Sequence, residues 1–413
     1  MSFALVNLGC KVNRVDSDYI ASHLIRLGQE RASLAQADFV IINTCTVTAE
    51  AEKKTRKAAR RALRENPSAP VYMTGCAVAI GPESLAAMSP RILVEPDKAK
   101  LLVELNECYG APAPGPCPAL FSTDGQMLRM GAGFPTRVGI KVQDGCDQKC
   151  SYCIVNRARG KPWSRPLGEI EEEVALYAKA GVKELVLTGI NLGSYSFEGT
   201  NLSRLLERLL ACSDGMRFRI SSIEPTDIDP ALAALIAQSD GRLCAHLHLP
   251  LQSGSSKVLH EMARPYDREA YLEKVEMLYR QMAHLSLSTD MIVGFPGESD
   301  ADFEESLEVA RLCRFSKIHV FPYSKRAGTP AASREDQLAP KIKAARVARL
   351  IALGESLRAQ DYAARSGKEE KVLVEREGRG LTESYYHIDV PPKLEAGCLV
   401  RISLPASHHD FKE

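Results

Sequence analysis

The stretch GCDQKCSYC places Cys146, Cys150 and Cys153 on a C-x3-C-x2-C spacing. A closed structural zinc site or an electron-transferring cluster ordinarily takes four protein ligands. Three thiolates on a [4Fe–4S] cube leave its fourth iron open. Such an iron can chelate the amino and carboxylate groups of S-adenosylmethionine, and one electron then cleaves the sulfonium to a 5′-deoxyadenosyl radical. A zinc knuckle completed from elsewhere in the chain would use the same three residues. The glycine before the motif and its place after a strand favour the cluster.

A second set is spread over the first hundred residues. Cys10, Cys45 and Cys76 occur in NLGCKVN, INTCTV and TGC, each just after a short apolar run. In a parallel sheet all strand C-termini lie on one edge, so these thiols meet in one crevice and can hold a second cluster, again with one open iron. Taken singly, each would read as a small buried hydrophobe. The other six of the twelve cysteines lack ligand spacing; Cys244, His246 and His248 alternate on one strand, which suggests a metal face and is explained as well by a strand lining a barrel interior.

The elements that must position these thiols follow from apolar runs alternating with helical periodicity. Runs at Phe3–Leu8, Phe39–Asn43, Val71–Thr74 and Ile92–Val94 predict a doubly wound α/β domain over 1–110. The proline-rich APAPGPCP opens a linker, 111–131. Over 132–362 six strand-helix units recur, with strands at Val138–Val142, Glu184–Thr188, Arg217–Ile223, Cys244–Leu249, Ser286–Val293 and Lys317–Phe321, which predicts an open (β/α)6 barrel. The first of these strands puts the GCDQKCSYC loop at the barrel's C-terminal mouth. A long helix over 341–365 leads into 363–413, whose alternating pattern predicts a small antiparallel β domain.

With 413 residues, 45% apolar, the chain has enough material for several cores, and 53 basic against 52 acidic residues exclude a uniformly basic coat. The N-terminus lacks the pattern of a signal peptide and no apolar run spans a membrane, so the expected location is the cytoplasm.

The chain resembles, over essentially its full length, the methylthiotransferases of the radical S-adenosylmethionine superfamily. The stretches that carry the likeness are FALVNLGCKVNRVDSD, LTGINLGSY, RISSIEPTDI, HLPLQSGSSKVL, TDMIVGFPGE and FSKIHVFPYSKRAGTPAA. Among them SSIEP and FSKIHVFPYS point to the branch acting on N6-threonylcarbamoyladenosine next to the anticodon of tRNA. The resemblance implies an auxiliary [4Fe–4S] cluster on Cys10, Cys45 and Cys76, a radical cluster on Cys146, Cys150 and Cys153, and a C-terminal TRAM domain. It further implies radical sulfur insertion at C2 of the adenine, with a second S-adenosylmethionine giving the methyl group, an electron-donor protein and a sulfur source. For S-adenosylmethionine it implies Thr188, Gly189 and Asn191 at the amino group, Ser222 and Glu224 near the ribose or carboxylate, and Val293, Gly294, Phe295 and Gly297 at the adenine, with Tyr152 shielding the cluster. Sister enzymes of the same chemistry act on isopentenyladenosine in tRNA or on an aspartate of a ribosomal protein; a non-catalytic iron–sulfur or zinc protein that binds RNA is the reading from another class. After its third cysteine this chain has Asn156 and Arg157 where many relatives carry a proline and an aromatic or small residue, and 363–413 holds 8 basic against 9 acidic residues, so tRNA affinity does not follow from that domain's charge.

One further feature is independent of any family. In KKTRKAARRALR the residues Lys53, Lys54, Arg56, Lys57, Arg60, Arg61 and Arg64 fall on one side of a helical wheel, opposite Ala51, Ala58 and Ala62. Such a run is commonly a solvated face; on a neutral protein, directly after Cys45, it is a candidate phosphate contact, with Lys53, Lys57, Arg60 and Arg64 as tRNA-binding residues. Lys341, Lys343, Arg346 and Arg349 form a second basic run with a bridging helix as its equal alternative.

Overall fold

The computed structural model describes residues 1–110, 136–282 and 284–408; the expected linker 111–131 lies outside the described residues. The described residues form two compact units, the first made of 1–110, 144–148 and 153–162 and the second of 136–143, 149–152, 163–282 and 284–408.

The first unit is a five-stranded parallel sheet in the order β2-β1-β3-β4-β5, with β1 Ser2–Asn7, β2 Glu30–Arg31, β3 Phe39–Thr44, β4 Val71–Gly75 and β5 Ile92–Val94. This is the flavodoxin-type order, whose ligand crevice opens at the switch point between β1 and β3. Helices α1 Lys11–Arg26, α2 Ala49–Glu65, α3 Cys76–Ile80, α4 Pro82–Ala86 and α5 Lys98–Tyr109 supply the crossovers. Two apolar layers result: Val40, Ile42, Val71 and Met73 pack on Ala59 and Ala62 of α2, while Phe3, Phe39 and Tyr72 pack on Ile20 and Leu24 of α1 and Leu101 of α5. The edge strand β2 carries no apolar run and was not expected.

The second unit holds parallel strands β6 Arg137–Lys141, β7 Glu184–Thr188, β8 Arg217–Ile220, β9 His246–His248, β10 Ser286–Val293 and β11 Lys317–Pro322. They pair as β8-β7-β6 and β9-β10-β11. Bridges Phe218↔Leu243 and Ser222↔His248 join the two sheets, giving six consecutive strands. Among the described residues nothing pairs β6 with β11, so the barrel is open as expected. Helices α6 Val155–Arg159, which belongs to the first unit, α7 Leu167–Lys179, α8 Leu202–Ala211, α9 Pro230–Gln238, α10 Arg268–Gln281 and α11 Asp300–Cys313 follow in turn. The strands expected at 217–223 and 244–249 are shorter: the ladder of β8 ends before Ser221, and Pro250 has no N–H to extend β9.

Helix α12 Pro340–Arg365 leads into an antiparallel sheet of β12 Glu369–Arg376, β13 Arg379–Thr382, β14 His387–Asp389 and β15 Leu399–Ser403, ordered β14-β13-β12-β15. This sheet lies within the second unit. A buried ionic node ties it to the start of the barrel strands. Arg137, Glu184 and Arg217 are register partners at the first residues of β6, β7 and β8. Glu184 accepts from Arg217 Nε at 2.6 Å and Arg219 Nε at 2.9 Å. The same two guanidiniums donate to the carbonyls of Lys371, Leu381, Thr382 and Glu383.

Candidate active site

In the first unit, Cys10 follows β1, Cys45 follows β3 and Cys76 follows β4, so all three come off the C-terminal edge of the sheet. Gly9 has φ +101°, and a Cβ there would stand 2.7 Å from Cys45 Cβ, so only glycine lets the backbone before Cys10 approach Cys45. Asparagines brace the strand ends. Asn13 Nδ2 donates to the carbonyls of Leu8 and Thr44 at 2.7 and 2.8 Å, and Asn43 Nδ2 donates to the Asn13 carbonyl at 2.8 Å. Cys10 is exposed, whereas Cys45 and Cys76 are buried. Burial pushes the Cys45 thiol up to about 11; Val47 N–H opposes this, while Cys10 and Cys76 add to it. Burial likewise raises Cys76, against the pull of Arg159. Metal loading must therefore displace the protons of Cys45 and Cys76.

Arg159, from α6, is the buried cation at this edge. It forks onto both carboxylate oxygens of Asp144, at 2.9 and 2.8 Å, reaches Asp16 Oδ2 at 3.4 Å, and donates to Asn13. Lys98 Nζ adds a second cation 3.1 Å from Asp16. Three soft thiols, a backbone cleared of Cβ at Gly9 and a guanidinium set against their negative charge make a donor set that suits a three-ligand iron–sulfur cube. Nothing in the local sequence marks Arg159.

The GCDQKCSYC loop is shared, with Cys146 and Cys153 in the first unit and Cys150 in the second. In the first unit, Cys146 N donates to the Gly160 carbonyl at 3.1 Å. Backbone N–H groups of Gln148 and Val155 donate to the sulfurs of Cys146 and Cys153, each at 3.4 Å. Asn156, one of the unusual residues of this loop, donates to the Gln148 carbonyl at 3.3 Å and so braces it. In the second unit Ser151 fixes the Cys150 segment to the barrel, its N and Oγ donating to the carbonyls of Met262 and Glu261 at 2.9 and 2.8 Å. Arg264 Nη1 stands 3.3 Å from Cys150 Sγ, and its Nη2 pairs with Glu224. Burial raises the Glu224 carboxyl, opposed by Arg264 and reinforced by Asp227 and Asp290.

The other expected S-adenosylmethionine residues cluster at the barrel's C-terminal end. Thr188 ends β7 and is buried, with its hydroxyl donating to the Ile140 carbonyl. Gln143, which no sequence signal marked, accepts from the N–H groups of Ile190 and Asn191, both at 3.0 Å. Asn191 Nδ2 donates to Asp227 at 2.7 Å, and its Oδ1 accepts from Gly193 N. Ser222 accepts from Leu192 N through its carbonyl. Val293, which ends β10, and Phe295 beyond it are buried, and Phe295 stacks edge-on with Tyr323 in a cluster that also receives Tyr152. The space beside Gly189, Gly294 and Gly297 is taken by this chain's own Gln143, Lys343 and Arg334.

Helix α2 carries the basic run, capped by Thr48 accepting from Ala51 N. Its buried face is Thr55, Ala59 and Ala62, not Ala51, Ala58 and Ala62: the Thr55 hydroxyl is satisfied by the Cys45 carbonyl at 3.0 Å and so can be buried. Arg61 pairs with Glu65 and Arg56 with Glu52, while Lys53, Lys54, Lys57 and Arg60 stay exposed with no ion pair among the described residues. The second basic run is a bridging helix. Arg346 is buried on Glu298 and Asp300, and Arg349 pairs with Glu304.

These two units, an α/β sheet with three thiols at one edge and an open parallel barrel with a three-cysteine loop, define a radical S-adenosylmethionine enzyme carrying a further cysteine-bearing domain. The radical SAM superfamily model matches residues 140–310, and the model described as uncharacterized protein family UPF0004 matches 2–94. The chain is 37% identical over 389 residues to the threonylcarbamoyladenosine tRNA methylthiotransferase MtaB of Bacillus subtilis, covering 92% of this chain and 86% of that one. It is 30% identical over 390 residues to the tRNA-2-methylthio-N(6)-dimethylallyladenosine synthase of Endomicrobium trichonymphae, covering 93% and 91%. The solved radical S-adenosylmethionine methyltransferase TsrM of Kitasatospora setae shares the fold at TM-score 0.57 and 16% identity, over 80% of this chain and 77% of that one. The chain belongs to the radical S-adenosylmethionine methylthiotransferase family. It is a tRNA methylthiotransferase, and its cofactors are S-adenosylmethionine and [4Fe–4S] clusters. Among the described residues no helix is long and apolar enough to cross a membrane.

Proposed function

We propose that this enzyme places a methylthio group on C2 of N6-threonylcarbamoyladenosine beside the anticodon of tRNA. The observation that carries this reading is the pairing of two separate thiol triads in a chain similar, over nine-tenths of its length, to a relative named for that nucleoside. The domains are 1–110 for the auxiliary cluster, 132–362 for radical chemistry and 363–413 as a TRAM-like module.

Cys146, Cys150 and Cys153 hold one cluster, and Cys10, Cys45 and Cys76 the other. When bound, these clusters supply one-electron cleavage of S-adenosylmethionine and a point of sulfur delivery. The protein's part is to bind and orient. Thr188, Gly189 and Asn191 take the amino end of S-adenosylmethionine, Glu224 and Ser222 its ribose or carboxylate, and the Val293–Gly297 turn, with Gly294 and Phe295, its adenine. Tyr152 excludes water above the Cys150 segment, and Arg264 holds Glu224 in place. A reductant protein and a sulfur source complete the turnover, which belongs in the cytoplasm with its tRNA.

Lys53, Lys57, Arg60 and Arg64 on α2 contact tRNA phosphates. Arg60→Glu combined with Arg64→Glu is expected to weaken tRNA binding about tenfold or more near ~0.1 M salt, with a shallower salt dependence and unchanged iron content. Equal affinity at moderate salt would remove α2 from the interface.

The direct test is nucleoside mass spectrometry of bulk tRNA from cells lacking the protein, complemented with wild type or with Cys146→Ala. The expected result is loss of 2-methylthio-N6-threonylcarbamoyladenosine, accumulation of its precursor, rescue by wild type and none by the variant. Loss of the methylthiolated isopentenyladenosine instead would move the substrate to the sister class, and an unchanged nucleoside profile would point to a protein substrate.

A further inference from the structure

Inside the barrel of the second unit, three side chains converge that no part of the cluster or S-adenosylmethionine reading uses. Register places His248 of β9 opposite Ser288 of β10, and Asp290 of β10 opposite His319 of β11. Along β10 the residues Leu287, Thr289, Met291 and Val293 are buried on one face, while Ser286, Ser288, Asp290 and Ile292 occupy the other. His248 Nε2 lies 3.3 Å from Asp290 Oδ1, and its Nδ1 lies 3.0 Å from Ser288 Oγ. The His319 ring stands edge-on to His248 with centroids 5.7 Å apart. One donor atom from each of His248, Asp290 and His319 falls within 4.8 Å of the others, and all three residues are half-buried.

Their position relates them to the reacting end of the barrel. Ile292, the next residue on the Asp290 face, packs in the cluster that contains Tyr152. Two residues of a parallel strand span about 7 Å, so the trio sits about that far inside the mouth. Asp290 also acts electrostatically on Glu224, the partner of the Arg264 that reaches Cys150.

We propose that His248, Asp290 and His319 form the subsite for the N6 substituent of the target adenosine, and that their polarity selects a threonylcarbamoyl over a prenyl group. The inference rests on the reading that the substrate is a modified adenosine, and it deepens that reading. A threonylcarbamoyl group offers ureido N–H and hydroxyl donors, which Asp290 can accept, and a carbonyl and a carboxylate, to which the imidazoles of His248 and His319 can donate. A prenyl group covering the same surface strips water from Asp290 and returns no hydrogen bond, the situation in which polar sites discriminate most strongly. A divalent ion would accept a similar donor set. Both ring nitrogens of His248 already face side chains of the barrel, Nδ1 at 3.0 Å from Ser288 Oγ and Nε2 at 3.3 Å from Asp290 Oδ1, and this favours the substrate.

The test uses the reconstituted full-length enzyme and one tRNA prepared unmodified, threonylcarbamoylated or dimethylallylated at the target adenosine. Turnover is measured on wild type, and dissociation constants on wild type, His319→Phe and Asp290→Asn, with iron content and melting temperature as folding controls. Wild type is expected to bind the threonylcarbamoylated tRNA about tenfold or more tighter than the unmodified one, and each variant to reduce that ratio to about threefold or less. Because the readout is a ratio, a general loss of affinity does not count. A ratio retained in both variants overturns the subsite while leaving the proposed substrate standing. One equivalent of zinc bound by wild type and lost in both variants, with the ratio intact, also overturns it in favour of a metal site. Turnover on the dimethylallylated tRNA alone overturns both readings.

Discussion

Replacing Arg159 with methionine is expected to destabilise the first unit by about 3–5 kcal/mol, the cost of leaving buried charge without its partner. Arg159 is 4% exposed, Asp16 2% and Asp144 10%, so solvent screens little of their interaction. Removing the guanidinium takes the buried cation from Asp144, which keeps the Gly145 N–H at 2.8 Å, and from Asp16, which keeps Lys98 at 3.1 Å. It also releases Asn13, whose side chain ties the end of β1 to the end of β3 beside Cys10 and Cys45. The effect therefore passes from an ion pair to the geometry of the thiols. After anaerobic reconstitution the variant is expected to hold about four fewer iron atoms per chain than wild type. Arg159→Lys keeps the charge but loses the fork onto Asp144, so it should fall between the two. Thermal melting with separate probes for the two units, and iron content by metal analysis, check this. Wild-type melting and full iron in Arg159→Met would show that the guanidinium holds nothing.

How much of this was legible in the sequence depends on where each signal resides. Strands Glu184–Thr188, Ser286–Val293 and Ile92–Val94 appear at their expected bounds because their apolar residues, in a run or in alternation with polar ones, are closed by turn signals. The convergence of Cys10, Cys45 and Cys76 on one edge followed from parallel topology alone. Strand β2 was missed because two charged residues carry no periodicity, and it belongs to the sheet only through pairing with Ser2 and Phe3. Arg159, Gln143, Arg264 and the meeting of His248 with Asp290 and His319 were missed for a different reason. Their partners lie far away in sequence, and a buried ion looks like a solvated one until its environment is known. The α2 wheel set Ala51, Ala58 and Ala62 opposite the charges and passed over Thr55, whose hydroxyl, bonded to the Cys45 carbonyl, packs as if it were apolar.

Glu184 carries the largest expected effect in the second unit. It is fully buried, as are Arg217 and Arg219, and the neighbouring Arg137 adds to their field. Although burial alone would raise this carboxyl, the guanidiniums of Arg217, Arg219 and Arg137 outweigh it and hold the group down at about 2, against 4.5 for the free side chain. A folded-state value below the unfolded one means that the stabilisation is complete above about pH 4.5 and fades as pH falls towards 2. The interval corresponds to about 3 kcal/mol. Glu184→Gln is isosteric but leaves two buried guanidiniums facing a neutral amide, with an expected loss of about 3–5 kcal/mol and a fall in melting temperature of about 10 °C. The node lies at the N-terminal end of the barrel strands, where barrel residues serve stability, while the chemistry sits at the other end. Iron loading of the three-cysteine loop should therefore survive in the variant. The same guanidiniums donate to the backbone of β12 and β13, so the C-terminal sheet should loosen with the barrel and be cut earlier by protease. Melting curves of wild type and Glu184→Gln between pH 7 and pH 3 test the assignment, since their difference should shrink below pH 4.5. A constant difference across that range would mean that Glu184 shapes the node by packing and hydrogen bonding, and that its charge contributes nothing.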